Sequence, residues 1–426
     1  MTDAKGSPSK AATPSKSLSH YKGSTNVLAG LDERSSLNSV RRDVADAMNS
    51  KNVSFLLGSG CSSAIDIGGV ELGIPTMKPM AASLLNAKAG KHRITDTDRA
   101  KLKSSLGLDL GIARYAENLE SLMEVLFASE MALRESSRDS LRSAHATILK
   151  VIAVVREYIL EVCSVALKSG SAVSDTYERF YRRLVQRDSS LPRPWVFTTN
   201  YDLFNESAMD RLGIPYINGF LGSIERRFNP AAFRYSLSEQ LDISSRRWTS
   251  VDSLVYFAKL HGSVSWESRD DGLFPVVETA PERIGADRLL IYPTPAKQNA
   301  SFASPYSDMF REFQSRTVRD QSVLVTVGYS FGDEHVNNII FQALTVPTFR
   351  LVAFVDPNAN DIVKRLRFLD DPRIWLIGTE DAAASWKSHY FASVVAEFLA
   401  VESSAAADDA IGRVLTEMLG RAGTES

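Results

Sequence analysis

The sequence predicts an α/β protein: a doubly wound parallel sheet with a helical insertion. Three observations carry that expectation. Short apolar runs recur along the chain, each ending on glycine or a polar residue; helical patterns follow several of them; and a long helix-rich stretch separates the first run from the second. Strands alternating with helices build parallel sheets covered on both faces.

Taken in order, residues 1–34 are rich in Ser, Lys, Ala and Pro and lack an apolar core, so they read as a flexible tail and not as a secretory signal. A first helix is expected over Ser36–Met48, where Leu37, Val40, Val44 and Met48 recur at helical spacing. Val53–Leu57 follows as a buried parallel strand ended by glycines. Residues 76–190 are too many for one crossover helix and carry several helical patterns, including Tyr115–Phe127 and Ala144–Leu167; they read as a helical insertion beside the sheet. Further strands are expected at Trp195–Thr199, Tyr256–Leu260, Leu289–Tyr292, Val323–Val327, Leu351–Val355 and Ile374–Ile377, with helices over Asp202–Leu212, Asp333–Leu344 and Asn360–Phe368. A second insertion, about 215–255, is polar and arginine-containing, and the pattern assigns it no place. Residues 35–400 thus read as one domain. At the end, within 401–426, Ile411, Val414, Leu415, Met418 and Leu419 share one helix face, which docks either on its own domain or on a subunit or partner.

Composition narrows the class. The chain has 426 residues, 44% hydrophobic and 23% charged, enough to bury a large core. A formal net charge of −2 gives no global field for nucleic acid or an anionic membrane, and direct nucleic-acid binding is not expected. The richest apolar stretch, Ile148–Val162, is interrupted by Lys150, Arg156 and Glu157, short of the roughly 18 uncharged residues a membrane helix needs. A cytoplasmic protein is the expectation. The two cysteines, Cys61 and Cys163, cannot make a four-cysteine zinc site, and no histidines stand at metal-ligand spacing, so no metal or zinc is expected.

Chemistry is expected where the strands end. Gly58-Ser59-Gly60-Cys61-Ser62 follows the first strand, and such a loop lets backbone amides approach a pyrophosphate at a helix start, although steric need alone also explains glycines there. Trp195–Asp202 places Thr199, Asn200 and Asp202 at the carboxyl edge of a strand, where ligands sit in open α/β sheets. Asn200 carries both a donor and an acceptor, suited to a ribose hydroxyl or a water; Asp202 also fits a plain N-cap. His261, after Lys259-Leu260, has an ordinary pKa of about 6.5 suited to proton transfer, or is a satisfied structural histidine. Gly328 and Ser330 close another strand ahead of Asp333, which suits a cap, and Asp356 and Asn358 end the next, where a nucleoside can be held.

Together these motifs resemble the sirtuin family, specifically the bacterial sirtuin-like domains of antiviral defence proteins. Gly58–Ser62 is similar to the family's GAGxS loop, Gly73-Ile74-Pro75 to its GIP segment, Thr198–Asp202 to TQNxD, His261-Gly262 to the catalytic HG pair, and Gly328-Tyr329-Ser330 to the GTS turn, in the family's order. The resemblance runs from Gly58 to about Asn358 with the insertions unmatched. It departs at Thr76-Met77-Lys78, which lack the Asp, Phe and Arg of GIPDFR, and at Thr199, which replaces glutamine. The zinc module and the acetyl-lysine-gripping strand of deacetylases are absent from the pattern. The resemblance implies a Rossmann-like domain that binds NAD⁺ and hydrolyses it to ADP-ribose and nicotinamide, with Asn200 and His261 catalytic. Gly58, Ser59, Gly60, Ser62, Thr199, Asp202, Gly328, Ser330, Asp356 and Asn358 would bind the dinucleotide. It further implies NAD⁺ depletion in abortive infection, a homo-oligomer, and regulation by a partner such as a HerA-type hexameric ATPase. A non-catalytic NAD⁺ or ADP-ribose sensor, a protein ADP-ribosyltransferase and a deacylase are the alternatives.

Overall fold

The computed structural model describes residues 18–65, 71–164, 171–242, 247–269, 274–285, 289–291, 304–381, 383–384 and 386–399. The expected C-terminal helix within 401–426 and residues 1–17 of the expected tail lie outside these.

The strands of the central sheet are β1 (Ser19–Lys22), β2 (Thr25–Asn26), β3 (Asn52–Leu57), β6 (Trp195–Thr198), β7 (Tyr216–Ile217), β12 (Val255–Lys259), β16 (Ser322–Val327), β17 (Arg350–Phe354) and β18 (Ile374–Gly378). Their order is β2-β1-β18-β17-β16-β3-β6-β12-β7. From β18 to β7 every pairing is parallel. The runs are apolar throughout because both faces are buried: Phe55 and Leu57 face one core cluster, and Leu56 between them faces the other. β16 does the same with Val323, Val325 and Val327 on one side and Leu324 on the other.

Two sequence expectations need correction here. Ser19–Lys22 is not tail: β1 pairs antiparallel with β18, and Ser19 Oγ donates to Gly378 O at 3.0 Å, so this short polar segment closes one edge of the sheet. The run near Leu289 does form a strand, β15 (Leu289–Ile291), but outside the central sheet. It pairs antiparallel with β13 (Gly262–Ser268) in a second sheet of order β15-β13-β14-β9-β8, completed by β14 (Val276–Glu278), β9 (Arg226–Phe228) and β8 (Phe220–Leu221). An apolar run signals a strand, not the sheet that the strand joins. The second insertion resolves into β7, the strands β8 and β9 of this small sheet, and an exposed hairpin of β10 (Ser238–Asp242) and β11 (Arg247–Ser250).

Helix α1 (Glu33–Met48) starts one turn earlier than expected, because Asp32 caps it by accepting from Ser35 N at 3.0 Å. Between β3 and β6, after the hairpin of β4 (Ser63–Ile65) and β5 (Glu71–Gly73), come α2 (Met77–Leu85), α3 (Asp96–Leu106), α4 (Ala113–Ala116), α5 (Leu119–Leu133), α6 (Asp139–Cys163) and α7 (Ala172–Leu184). Their apolar stripes join the same core cluster as Phe55: on α6, Ile148, Val151, Ile152, Val155 and Ile159 recur at helical spacing, and on α7 Phe180 meets Phe55 edge-on at 5.2 Å. After the sheet strands run α8 (Phe204–Leu212), α9 (Tyr306–Thr317), α10 (Glu334–Ala343) and α11 (Asp361–Phe368). No helix among the described residues is long and apolar enough to cross a membrane.

Strand order fixes the site. From β3 the chain moves outward to β6 on one side, while β16 opens the other half of the sheet. The two halves diverge between β3 and β16, and a crevice opens there at the carboxyl ends, the usual ligand position in such sheets.

Candidate active site

A cleft at this divergence is lined by Ser59 and Ser62 after β3, by Thr199, Asn200, Tyr201 and Asp202 after β6, by His261 after β12, and by Gly328, Tyr329, Ser330 and Asp333 after β16. The insertion contributes Asn118 and Glu120 at the start of α5 and Cys163 at the end of α6. Strand ends far apart in sequence thus meet in one place, Asn200 and His261 among them.

The loop after β3 differs from the expected phosphate cradle. Four of its five amides are already used: Gly58 N donates to Val327 O at 2.9 Å, Gly60 N to Gly328 O at 3.0 Å, Cys61 N to Gly58 O at 2.9 Å and Ser62 N to Ser59 O at 3.1 Å. Nor does an α-helix follow; a single 3₁₀ turn, Ser59–Cys61, leads into β4. The glycines are needed for contact between backbones. A Cβ on Gly58 would stand 2.4 Å from Gly328 O, and one on Gly328, whose φ is +62°, would stand 2.5 Å from Cys61 N. Gly58 and Gly60 seam the two halves of the sheet together, and the loop lines the cleft with Ser59 and Ser62.

Asn200 is held in one orientation. Its backbone N–H donates to Thr198 Oγ1 at 3.0 Å, and its Nδ2 donates to Gly58 O at 3.0 Å and Ser62 Oγ at 2.8 Å. Because a carbonyl can only accept, the amide nitrogen must face Gly58, and Oδ1 is the atom with acceptor capacity to offer a ligand. Ser62 passes its own proton to Asp202 Oδ2 at 2.6 Å and lies 3.1 Å from the Tyr177 hydroxyl. Asp202 Oδ1 accepts from Phe204 N at 3.1 Å, so this carboxylate supports the start of α8 as well as the cleft. Burial pushes the Asp202 carboxyl up, against the opposing pull of Lys259 and the Ser62 hydrogen bond.

Lys259 underlies this turn and was not singled out by its sequence context. Its ammonium, 1% exposed, donates to Ser263 Oγ at 3.0 Å, to Tyr201 O at 3.3 Å and to Asp202 O, and pairs with Glu206 Oε1 at 2.9 Å. Burial raises the Glu206 carboxyl to about 7, with Lys259 pulling the other way. A lysine inside an otherwise apolar strand run was the available signal, since buried charge requires a partner. Glu120, the other acid that pattern reading missed, accepts from Tyr201 OH at 3.2 Å.

His261 is 3% exposed, and its Nε2 lies 2.9 Å from Asp333 Oδ2. The expected cap at Asp333 is present too: its Oδ1 accepts from His335 N at 2.7 Å and Val336 N at 3.0 Å. Asp356 and Asn358 do not line the cleft. Asp356 Oδ1 accepts from Asn358 N at 2.9 Å, and Asn358 Nδ2 turns to Glu380 Oε1 at 3.3 Å, a turn bonded to itself beyond Ser330.

Among the described residues, the lining contains Glu120, Asp202 and Asp333 and neither lysine nor arginine. Such a cleft favours a cationic group at its acidic side and leaves anions to hydroxyls and backbone. Both thiols are free and buried, and burial raises each of them, so neither is a poised nucleophile. Among the described residues, no three His, Cys, Asp or Glu side chains come together as metal ligands.

Residues 194–371 match the family model of the SIR2-like domain. The matched stretch starts at β6, ends after α11 and includes Asn200, His261 and Asp333, but not the loop at Gly58. No curated protein matches the chain. The match makes residues 194–371 similar to the SIR2-like domain, in keeping with the Rossmann-like α/β architecture of the central sheet.

Proposed function

We propose that the protein is an NAD⁺ glycohydrolase that splits the bond between nicotinamide and ribose, with water as acceptor. The observation that carries this reading is the meeting of Asn200 and His261 in one acidic cleft at the sheet's divergence. The C1′–N bond breaks with its electron pair leaving on neutral nicotinamide, and the sugar carbon passes through an oxocarbenium-like state. Water adds to C1′ and yields one proton, which His261 takes directly or through a ribose hydroxyl. Asn200 Oδ1 orients that hydroxyl or the water. Asp202 and Glu120 favour the pyridinium and the developing positive charge, and Ser59 and Ser330 serve the pyrophosphate.

The two-cysteine composition, which cannot supply the zinc module of deacylases, supports hydrolysis over deacylation. The resemblance of TTNYD and GYSFGDEHVN to the defence branch supports a setting of abortive infection, with a homo-oligomer regulated by a HerA-type ATPase. The test is incubation of the purified chain with NAD⁺, with and without a candidate ATPase, following nicotinamide release by chromatography. His261→Ala is expected to lower the rate by about 10²–10⁴-fold, the range general acid–base help supplies. An unchanged rate in that variant removes His261 from the chemistry, and tight NAD⁺ binding without turnover in the wild type marks a sensor.

A further inference from the structure

We propose that Asp333 is a positioning residue for His261: it fixes the imidazole proton on Nε2 and stabilises the imidazolium that forms when the ring takes up a second. This rests on the hydrolytic reading above and assigns a duty within the same site.

The two oxygens of Asp333 are committed separately. Oδ1 accepts from two amides at the start of α10, which stops the carboxylate from rotating, and Oδ2 is thereby held 2.9 Å from His261 Nε2. The backbone is fixed as well, since Tyr329 OH reaches Asp333 O at 3.2 Å and Asn337 Oδ1 at 2.9 Å. On the other side, Leu260 N bonds to Thr198 O at 2.8 Å, which sets the strand end that carries the histidine. Burial pushes the Asp333 carboxyl up, yet the His261 contact and the helix amides outweigh it and bring it down to about 2. The group is therefore ionised at neutral pH. At 2.9 Å an ionised carboxylate repels a ring lone pair and attracts an N–H, which favours hydrogen on Nε2 and the lone pair on Nδ1. When the ring becomes cationic, its charge forms beside an anion whose orientation is already fixed, and no reorganisation is required. The other titratable groups around this pair are Glu120 from α5, Cys163 from α6, Asp202 and Tyr201 after β6, Tyr329 after β16, and His335 on α10, with Lys259 and Glu206 paired beneath.

The cap offers a clean substitution, because Asn caps helices about as well as Asp. In Asp333→Asn the amide oxygen keeps the α10 amides and Nδ2 turns its hydrogens on His261 Nε2, driving the ring proton to Nδ1. In Asp333→Ser the cap remains and the contact is lost without inversion. The full-length chain, labelled with ¹⁵N-histidine, is measured by imidazole NMR across pH, alongside nicotinamide release from NAD⁺. Expected for Asp333→Asn are a neutral ring inverted to the Nδ1–H form and a His261 titration at least one unit lower. The kcat is expected to fall about 10²–10⁴-fold while KM changes less than about threefold. Asp333→Ser is expected to show the lowered titration without the inversion. Wild-type tautomer and titration in both variants overturn the proposal, as does a loss of rate that only follows a loss of folded protein. If the wild-type chain releases no nicotinamide but Asp333→Asn inverts the tautomer, hydrolysis falls while the fixed proton stands.

Discussion

Three glycine-to-alanine substitutions separate the two reasons a glycine is needed at the seam between the sheet halves. Gly30 has φ +84° with nothing within 4 Å of where an alanine methyl would stand, so Gly30→Ala tests backbone conformation alone. Its left-handed penalty of about 1–2 kcal/mol is offset by about 0.4–1 kcal/mol from a stiffer unfolded chain, a net cost of about 0–1.6 kcal/mol. Gly58 has an ordinary φ of −99°, but its Cβ would stand 2.4 Å from Gly328 O and 2.6 Å from Tyr329 Cα. Gly58→Ala thus tests crowding alone, at about 1–3 kcal/mol. Gly328, with φ +62° and a Cβ 2.5 Å from Cys61 N, meets both, at about 2–4 kcal/mol. Because Gly58 and Gly328 press on the same junction, their double variant is expected to cost less than the sum of the two. Urea denaturation midpoints and slopes measure all four proteins. A Gly328→Ala protein no less stable than Gly30→Ala would refute the close approach, and with it the account of why these glycines are there.

Two further predictions concern buried charge. Lys259→Met leaves Glu206 and the Asp202 turn without their cation; breaking a buried pair costs about 3–5 kcal/mol, and Lys259→Met with Glu206→Gln is expected to recover part of it in the same urea assay. No recovery in the double variant would show that the lysine's bonds to Tyr201 O and Asp202 O matter more than its charge partner. His20, fully buried on β1, is lowered to about 4 by burial, with Asp43 opposing and Lys22 assisting. The unfolded chain takes up this proton near pH 6.5 and the folded chain only near 4, so stability is full above 6.5 and declines as pH falls between them. The loss reaches about 3 kcal/mol. In His20→Gln that portion of the stability–pH curve is expected to flatten; an unchanged curve would place the acid sensitivity elsewhere.

The sheet was legible because its strands are buried on both faces and therefore read as unbroken apolar runs. The edge strand β1 was not, since Ser19, His20 and Lys22 carry no apolar run and are ordered by pairing with a strand over 350 residues away. At the site, Asn200, Asp202 and His261 were visible as polar residues at strand ends. Gly58 and Gly60 were visible as a glycine loop at a strand end, but their packing against Gly328 was not, because a sequence does not say which amides are already bonded. Glu120 was missed for another reason: its meeting with Tyr201 is made by the fold of the insertion and leaves no local pattern.

The seam at Gly58 and Gly328 also decides how readily this cleft can be redesigned. Where a pocket grips its guest through main-chain amides, substitution leaves the grip nearly unchanged, because every residue brings the same amide. Here four of the five amides from Gly58 to Ser62 are spent inside the protein, and Ser59, Thr199 and Ser330 line the cleft with hydroxyls instead. A hydroxyl can be exchanged where an amide cannot, so substitutions among these three change what the cleft presents while the glycine seam stays intact.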